Sequence, residues 1–167
     1  VLIPGLGAVA TTLIAGVESI RKGFSKPVGS LTQMGNIRLG KRTDNRYPLV
    51  KDFVPLAELD DIVFGGWDVY EDNVYQAASN AKVLEPSVLE KVKSELEAIK
   101  PFKAVFDSNY VKNLDGKHIK EETNKWDLAE AVIKDIETFK IENNLERIVI
   151  VWCASTEKYI ETSDVHQ

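Results

Sequence analysis

The spacing of apolar residues changes several times along the chain, and each change marks an element. Val1, Leu2 and Ile3 form a short continuous apolar run that leads into Pro4-Gly5-Leu6-Gly7. From Ala8 to Lys22 the period switches: Leu13, Ile14, Val17 and Ile20 recur at three- and four-residue intervals, the stripe of an amphipathic helix. Gly23 is placed to end it, because glycine takes the left-handed backbone of a helix terminus without steric cost. The chain therefore opens with a strand, a tight glycine turn and a helix.

Residues 24–58 have few periodic runs and several glycines and prolines, which predicts a long excursion with a short strand near Asn36–Leu39. Order returns at Ile62-Val63-Phe64, a buried-type strand ending at Gly65-Gly66-Trp67-Asp68. Helices are predicted over Asp72–Lys82 and from Pro86, a favoured first helical residue, to the break at Pro101. In the second of these, Leu89, Val92, Leu96 and Ile99 share one face. Ala104-Val105-Phe106 reads as another strand, followed by a polar stretch with a turn at Asp115-Gly116. Asn124 is a suitable cap for a helix to Asn143 with Ala129, Val132, Ile133, Ile136 and Phe139 as its buried stripe. Ile148–Trp152 is apolar at every position, as in a central parallel strand covered on both faces. Alternating strands and helices imply an α/β fold, a Rossmann-type doubly wound parallel sheet forming one domain over residues 1–167. The ends read as cuts in something longer, since Val1–Pro4 looks like the tail of a strand and Glu161–Gln167 carries no stop.

Composition narrows the partners. With 44% apolar and 28% charged residues the chain suits one globular domain rather than a disordered one. A net charge of -5 gives no broad attraction to a phosphate backbone, so nucleic acid is not expected as a partner. There is no apolar run of membrane-spanning length and no secretory signal pattern. The single cysteine, Cys153, fits a reducing cytoplasm. One cysteine and two distant histidines, His118 and His166, give no metal set. They also give no convincing Cys–His nucleophile pair, because His118 falls in a polar loop expected to face solvent. Cys153 is read as a small buried thiol, and Trp67, Trp126 and Trp152 as packing residues.

Three places can carry chemistry. Gly5-Leu6-Gly7-Ala8-Val9-Ala10 follows a strand, opens a helix and fits the pattern G-x-G-x-x-A. Its first glycine allows the turn, its second admits a pyrophosphate, and the small Ala10 lets helix and strand pack. A turn that only packs a helix on a sheet has the same spelling. A dinucleotide site also needs an acid about 20 residues further on. None stands there, and the nearest carboxylate at a strand end is Asp68, beside Gly65-Gly66 where backbone can approach a ligand; a helix-capping or surface Asp reads the same way. The third place is Cys153-Ala154-Ser155-Thr156-Glu157, beyond the carboxyl end of the apolar strand, which is either a ligand loop or a polar turn. A P-loop is not present.

These residues match a family pattern. Gly29-Ser30-Leu31-Thr32-Gln33, Gly65-Gly66-Trp67-Asp68 and Trp152-Cys153-Ala154-Ser155-Thr156-Glu157-Lys158-Tyr159 resemble inositol-3-phosphate synthase (myo-inositol-1-phosphate synthase), as does Lys125-Trp126 through Glu142-Asn143. The resemblance implies a Rossmann-type NAD domain joined to a second α/β domain, in a homotetramer. It implies conversion of glucose 6-phosphate to inositol phosphate by oxidation at C5, intramolecular aldol closure and reduction, with NAD as cofactor. By that resemblance the cofactor contacts are Gly5, Gly7, Ala8, Val9 and Ala10 at the phosphate turn, Asp68 at the adenosine ribose, and Cys153, Ala154, Ser155 and Thr156 along the site. Cys153 stands where the family commonly has threonine. The family's catalytic lysines match no lysine here, neither Lys112 nor Lys158, so no catalytic residue is expected in this chain and the chain alone is expected to be inactive. An NAD-dependent oxidoreductase acting on another substrate, or a non-catalytic NAD-binding module, would look much the same.

Overall fold

A computed structural model describes residues 1–109, 111 and 114–154. Three parallel strands form its sheet: β1 (Leu2–Pro4), β2 (Gly65–Asp68) and β3 (Phe102–Lys103), side by side in that order. Leu2 pairs with Gly65 and Pro4 with Trp67, while Trp67 pairs with Phe102. A fourth extended segment, 149–151, lies along the free side of β1. Leu2 N–H donates to Val149 O at 2.9 Å, Val151 N–H to Leu2 O at 3.0 Å, and Cys153 N–H to Pro4 O at 3.0 Å. The chain thus winds outward from β1 through β2 to β3, then returns to the other side of β1. That reversal makes the sheet doubly wound and opens a crevice at the carboxyl ends of the strands.

Both faces of β1 are covered. Ile3 joins Leu6, Ala10, Ile14, Phe64, Val74 and Leu96 in one core, beneath helices α1 (Ala8–Arg21), α3 (Val74–Ala81), α4 (Pro86–Lys91) and α5 (Lys93–Ala98). Leu2 points the other way and packs with Trp67, Ala104 and Phe139 beneath α6 (Lys125–Glu142). Local signals set the helix ends as expected. Gly23 adopts φ +75, its N–H reaching Ile20 O and that of Phe24 reaching Ser19 O. Asn73 and Asn124 cap α3 and α6, each accepting a backbone N–H three residues on, from Gln76 and Asp127.

Several expectations are corrected. The second strand is Gly65–Asp68 itself, so the two glycines lie inside it. A Cβ on Gly65 would sit 2.7 Å from the Phe139 ring, and one on Gly66 would collide with the Ile3 carbonyl, so these glycines serve packing against protein rather than approach of a ligand. β3 ends at Lys103 rather than Phe106, because Ala104 forms a parallel rung with Ile119 instead. The helix from Pro86 stops at Lys91 and restarts at Lys93, since Val92 N–H bonds to Leu89 O and tightens the turn. In α6 only Phe139 is buried, and Ala129 and Ile133 are exposed, because just the carboxyl half of the helix lies on the sheet. Among the described residues segment 149–151 has β1 as its one strand neighbour, and Val149 is 58% and Ile150 50% exposed rather than covered on both faces. Trp67 is buried, but Trp126 and Trp152 are three-quarters exposed and do not pack a core.

Residues 24–58 form the expected excursion, with a four-residue helix α2 (Leu31–Met34) and one antiparallel rung between Asn36 and Leu49; none of its residues is buried. Its far end is tied down by Arg21, whose guanidinium donates to the carbonyls of Leu59 and Ile62 and pairs with Glu18.

On the opposite face Asp135 anchors α6. It accepts Trp67 Nε1–H at 2.7 Å and pairs with Lys120 at 2.7 Å, with both charged side chains mostly covered. Asp135→Ala is expected to cost about 2–3 kcal/mol, because it leaves a half-buried cation and an indole N–H without their acceptor. Urea unfolding followed by tryptophan fluorescence measures this, and a midpoint equal to wild type would refute the anchor.

Candidate cofactor site

The glycine turn sits where β1 hands over to α1. Gly5 has φ +87, a conformation costly for any other residue. A Cβ there would also lie 2.5 Å from Ala154 Cα, because the fourth segment crosses directly behind the turn. Gly7 differs: its φ is -80, and a Cβ on it would meet no atom of the described residues within 4 Å. Nothing among the described residues requires glycine at position 7. The space above it is what a bound group would use.

Gly7 is also the first residue of the helix cap. Among the described residues no side chain caps α1, and its first turn holds no acidic residue. The first helical bond runs from Thr11 N–H to Gly7 O at 3.0 Å, leaving the N–H groups of the preceding turn directed outward with the positive end of the helix dipole. Ala8 and Val9 are exposed around this opening, Val9 by 68%, while Ala10 is fully buried under the turn, where its small side chain lets α1 lie close to β1.

Asp68 closes the other side. Its Oδ2 accepts Leu6 N–H at 2.7 Å and its Oδ1 accepts Tyr70 N–H at 3.0 Å. One carboxylate therefore ties the end of β2 to the glycine turn, and each oxygen keeps acceptor capacity for a ligand hydroxyl.

Two clefts meet at this ridge, and both are lined by Gly7 and Asp68. The larger, about 790 Å³, runs along the carboxyl ends of all four extended segments, from Val105 and Phe106 past Val69 and Leu114 to Trp152, Cys153 and Ala154. Its walls are mostly apolar, and its size and polarity are those of small-molecule sites. The smaller, about 370 Å³, lies on the α3 side against Tyr70, Asp72 and Asn80. The arrangement offers an anion a helix N-terminus, a ribose an acid, and flat rings an apolar wall.

Gly5, Gly7, Ala8, Val9, Asp68, Cys153 and Ala154 are thus brought to one cleft, with Ala10 beneath it; Ser155 and Thr156 lie outside the described residues. Cys153 is partly buried against the core beside Pro4. Sequence reasoning missed the walls at Tyr70, Phe106, Leu114 and Val132; the first two follow strand ends, which is the one signal that could have flagged them. It also misplaced His118, which is half-buried and bonded through Nδ1 to the Asp68 main-chain carbonyl at 3.1 Å. Among the described residues no group of three His, Cys, Asp or Glu could hold a metal ion, and no helix is long and apolar enough to cross a membrane.

Comparison with known proteins gives one answer. The profile of an NAD-binding family described as myo-inositol-1-phosphate synthase matches residues 1–167. Inositol-3-phosphate synthase 1 of Bacteroides thetaiotaomicron is 52% identical over 167 residues, covering 99% of this chain and 38% of that protein. Isozyme 1 of inositol-3-phosphate synthase from Arabidopsis thaliana is 32% identical, over 95% of this chain and 34% of its own length. The crystal structure of inositol-3-phosphate synthase from Caenorhabditis elegans superposes with a TM-score of 0.81 at 26% identity, over 98% of this chain and 35% of that one. The chain spans between a third and two-fifths of the length of these relatives.

Proposed function

The chain belongs to the myo-inositol-1-phosphate synthase family and is its NAD-binding region, and from that premise we propose that the full protein converts glucose 6-phosphate to inositol phosphate, with residues 1–167 acting as one unit that grips the cofactor. The observation that carries this reading is the space over Gly7, open among the described residues and bounded by the N–H groups of the first turn of α1 on one side and Asp68 on the other. The donor set fits NAD: the α1 amides take the pyrophosphate, Asp68 takes the adenosine ribose hydroxyls, and the apolar wall from Val105 to Ile150 takes ring surface and excludes water. NAD when bound supplies reversible hydride storage, which suits an isomerisation without net redox change.

What the cleft lacks is equally informative. Among the described residues lining it, the only charged side chains are Asp68 and Asp107. Two anions cannot stabilise the oxyanions that develop during oxidation and aldol closure, so in this reading that work falls to cations outside the described lining. In this reading Gly5, Ala8, Val9, Ala10, Cys153 and Ala154 shape the site and none of them is catalytic. The same reading places the enzyme in the cytoplasm as a homotetramer.

The test is the full-length protein, with NAD affinity by calorimetry and inositol phosphate formation from glucose 6-phosphate. NAD binding together with product is expected. Asp68→Asn, which keeps the shape and removes the charge, is expected to weaken NAD about tenfold. Binding without product would leave an oxidoreductase of other specificity or a binding module, and no NAD binding would sink the site itself.

A further inference from the structure

We propose that His118 is a positioning residue for the cofactor site, fixing the strand end that presents the Asp68 carboxylate; the inference rests on reading the cleft as the NAD site. β2 and β3 pair as far as Asp68 with Lys103 and then part. Segment 118–120 fills the gap. His118 N–H donates to Val69 O at 3.0 Å, Ala104 N–H donates to His118 O at 3.0 Å, and Lys120 N–H donates to Ala104 O at 2.9 Å. The approach is close, since a Cβ on Gly116 would run into the Val69 side chain. The wedge therefore holds the main chain at the rim of the cleft.

His118 adds a contact that the wedge backbone does not supply. Its Nδ1 lies 3.1 Å from the carbonyl oxygen of Asp68 itself. A carbonyl only accepts, so Nδ1 carries the proton and donates. With the Val69 carbonyl held by the His118 amide, both carbonyls at the end of β2 are fixed by one residue. The peptide plane that carries Asp68 Cα is then set. So is the reach of its carboxylate to Leu6 N–H in the glycine turn and to Tyr70 N–H.

Without the imidazole, the half-buried Asp68 carbonyl turns to find another partner and takes the carboxylate with it. A displacement of about 1 Å at a positioned group is enough to lose one to two orders of magnitude in a dependent interaction. His118 touches no cofactor atom in this scheme; it acts through Asp68. His118→Asn places an amide N–H close to where Nδ1 stands and preserves the donor. His118→Leu keeps the bulk and removes the donor.

The experiment uses the full-length protein and titrates NAD and its 2′-deoxyadenosine analogue by calorimetry. His118→Leu is expected to weaken NAD about tenfold and to abolish the wild-type preference for NAD over the deoxy analogue. His118→Asn is expected to restore both to within about threefold of wild type. The double variant His118→Leu/Asp68→Asn is expected to bind NAD no more weakly than Asp68→Asn alone, because both changes break one chain of contacts. Wild-type affinity in His118→Leu, or losses that add in full in the double variant, would overturn the proposal while leaving the NAD site standing. Wild-type protein that binds no NAD would remove the site, and the role of His118 with it.

Discussion

Gly7→Val is expected to weaken NAD binding by about a hundredfold or more while leaving the fold intact. At most glycines of a phosphate-binding turn, backbone conformation and ligand approach are entangled. Here they separate. Gly7 has φ -80, within reach of any L-residue, and a Cβ there meets no atom of the described residues within 4 Å. The new isopropyl group therefore costs the free protein little: less than about 1 kcal/mol, from the poorer helix-capping preference of valine. It stands in the opening between the α1 amides and Asp68, and a pyrophosphate cannot reach the amides past it. Paired calorimetry and thermal unfolding measure both halves. Undiminished affinity would show that the cofactor does not cross Gly7. A large fall in melting temperature would show that glycine is needed there by the fold.

Gly66→Ala is expected to do the reverse, destabilising the fold by about 3–5 kcal/mol. The added methyl would lie 3.0 Å from Leu6 Cδ2 and 3.1 Å from the Ile3 carbonyl carbon, and closer still to the Ile3 oxygen. Backbone of the neighbouring strand cannot swing aside as a side chain can, so β1 and β2 must separate. For a domain of this size that is a fall on the order of 10 °C in melting temperature. Gly29→Ala, whose Cβ meets no atom of the described residues within 4 Å, is the control. Comparable melting points for the two variants would show that β1 and β2 do not pack as described. NAD binding is expected to fail in Gly66→Ala only as a consequence of unfolding, and adding NAD during the melt tests this by restoring part of the lost stability.

The contrast shows how differently three glycines read. The sequence assigns Gly5 a tight turn and gives both Gly7 and Gly66 the close approach of a ligand. The tertiary structure separates them by what lies opposite. Gly5 faces the backbone of Ala154, 149 positions away in the chain, Gly66 faces the carbonyl of Ile3, and Gly7 faces none of the described residues. The second strand moved three residues later than its apolar run for a related reason. Ile62, Val63 and Phe64 look more like a strand than Gly-Gly-Trp-Asp does, but the backbone that fits between β1 and the Phe139 ring must be bare. The acid showed the same division. Asp68 was visible as a carboxylate at a strand end, whereas its bond to Leu6 N–H depends on β1 and β2 lying side by side.

Features governed by nearest neighbours in the chain were determined by the sequence itself. These are the bounds of α1 with its left-handed Gly23, the Asn73 and Asn124 caps, the start at Pro86, and the strand–turn–helix order that places uncapped amides after Gly7. Each rests on backbone preferences and hydrogen bonds spanning a few residues, which a sequence carries explicitly. The tertiary structure alone decided which apolar runs the described residues cover. It left Ile148–Trp152 half exposed and the amino half of the α6 stripe uncovered. It also drove the wedge at His118 between β2 and β3. Burial and strand insertion depend on what arrives from distant parts of the chain, and apolar character records only that a residue can be covered, not what covers it.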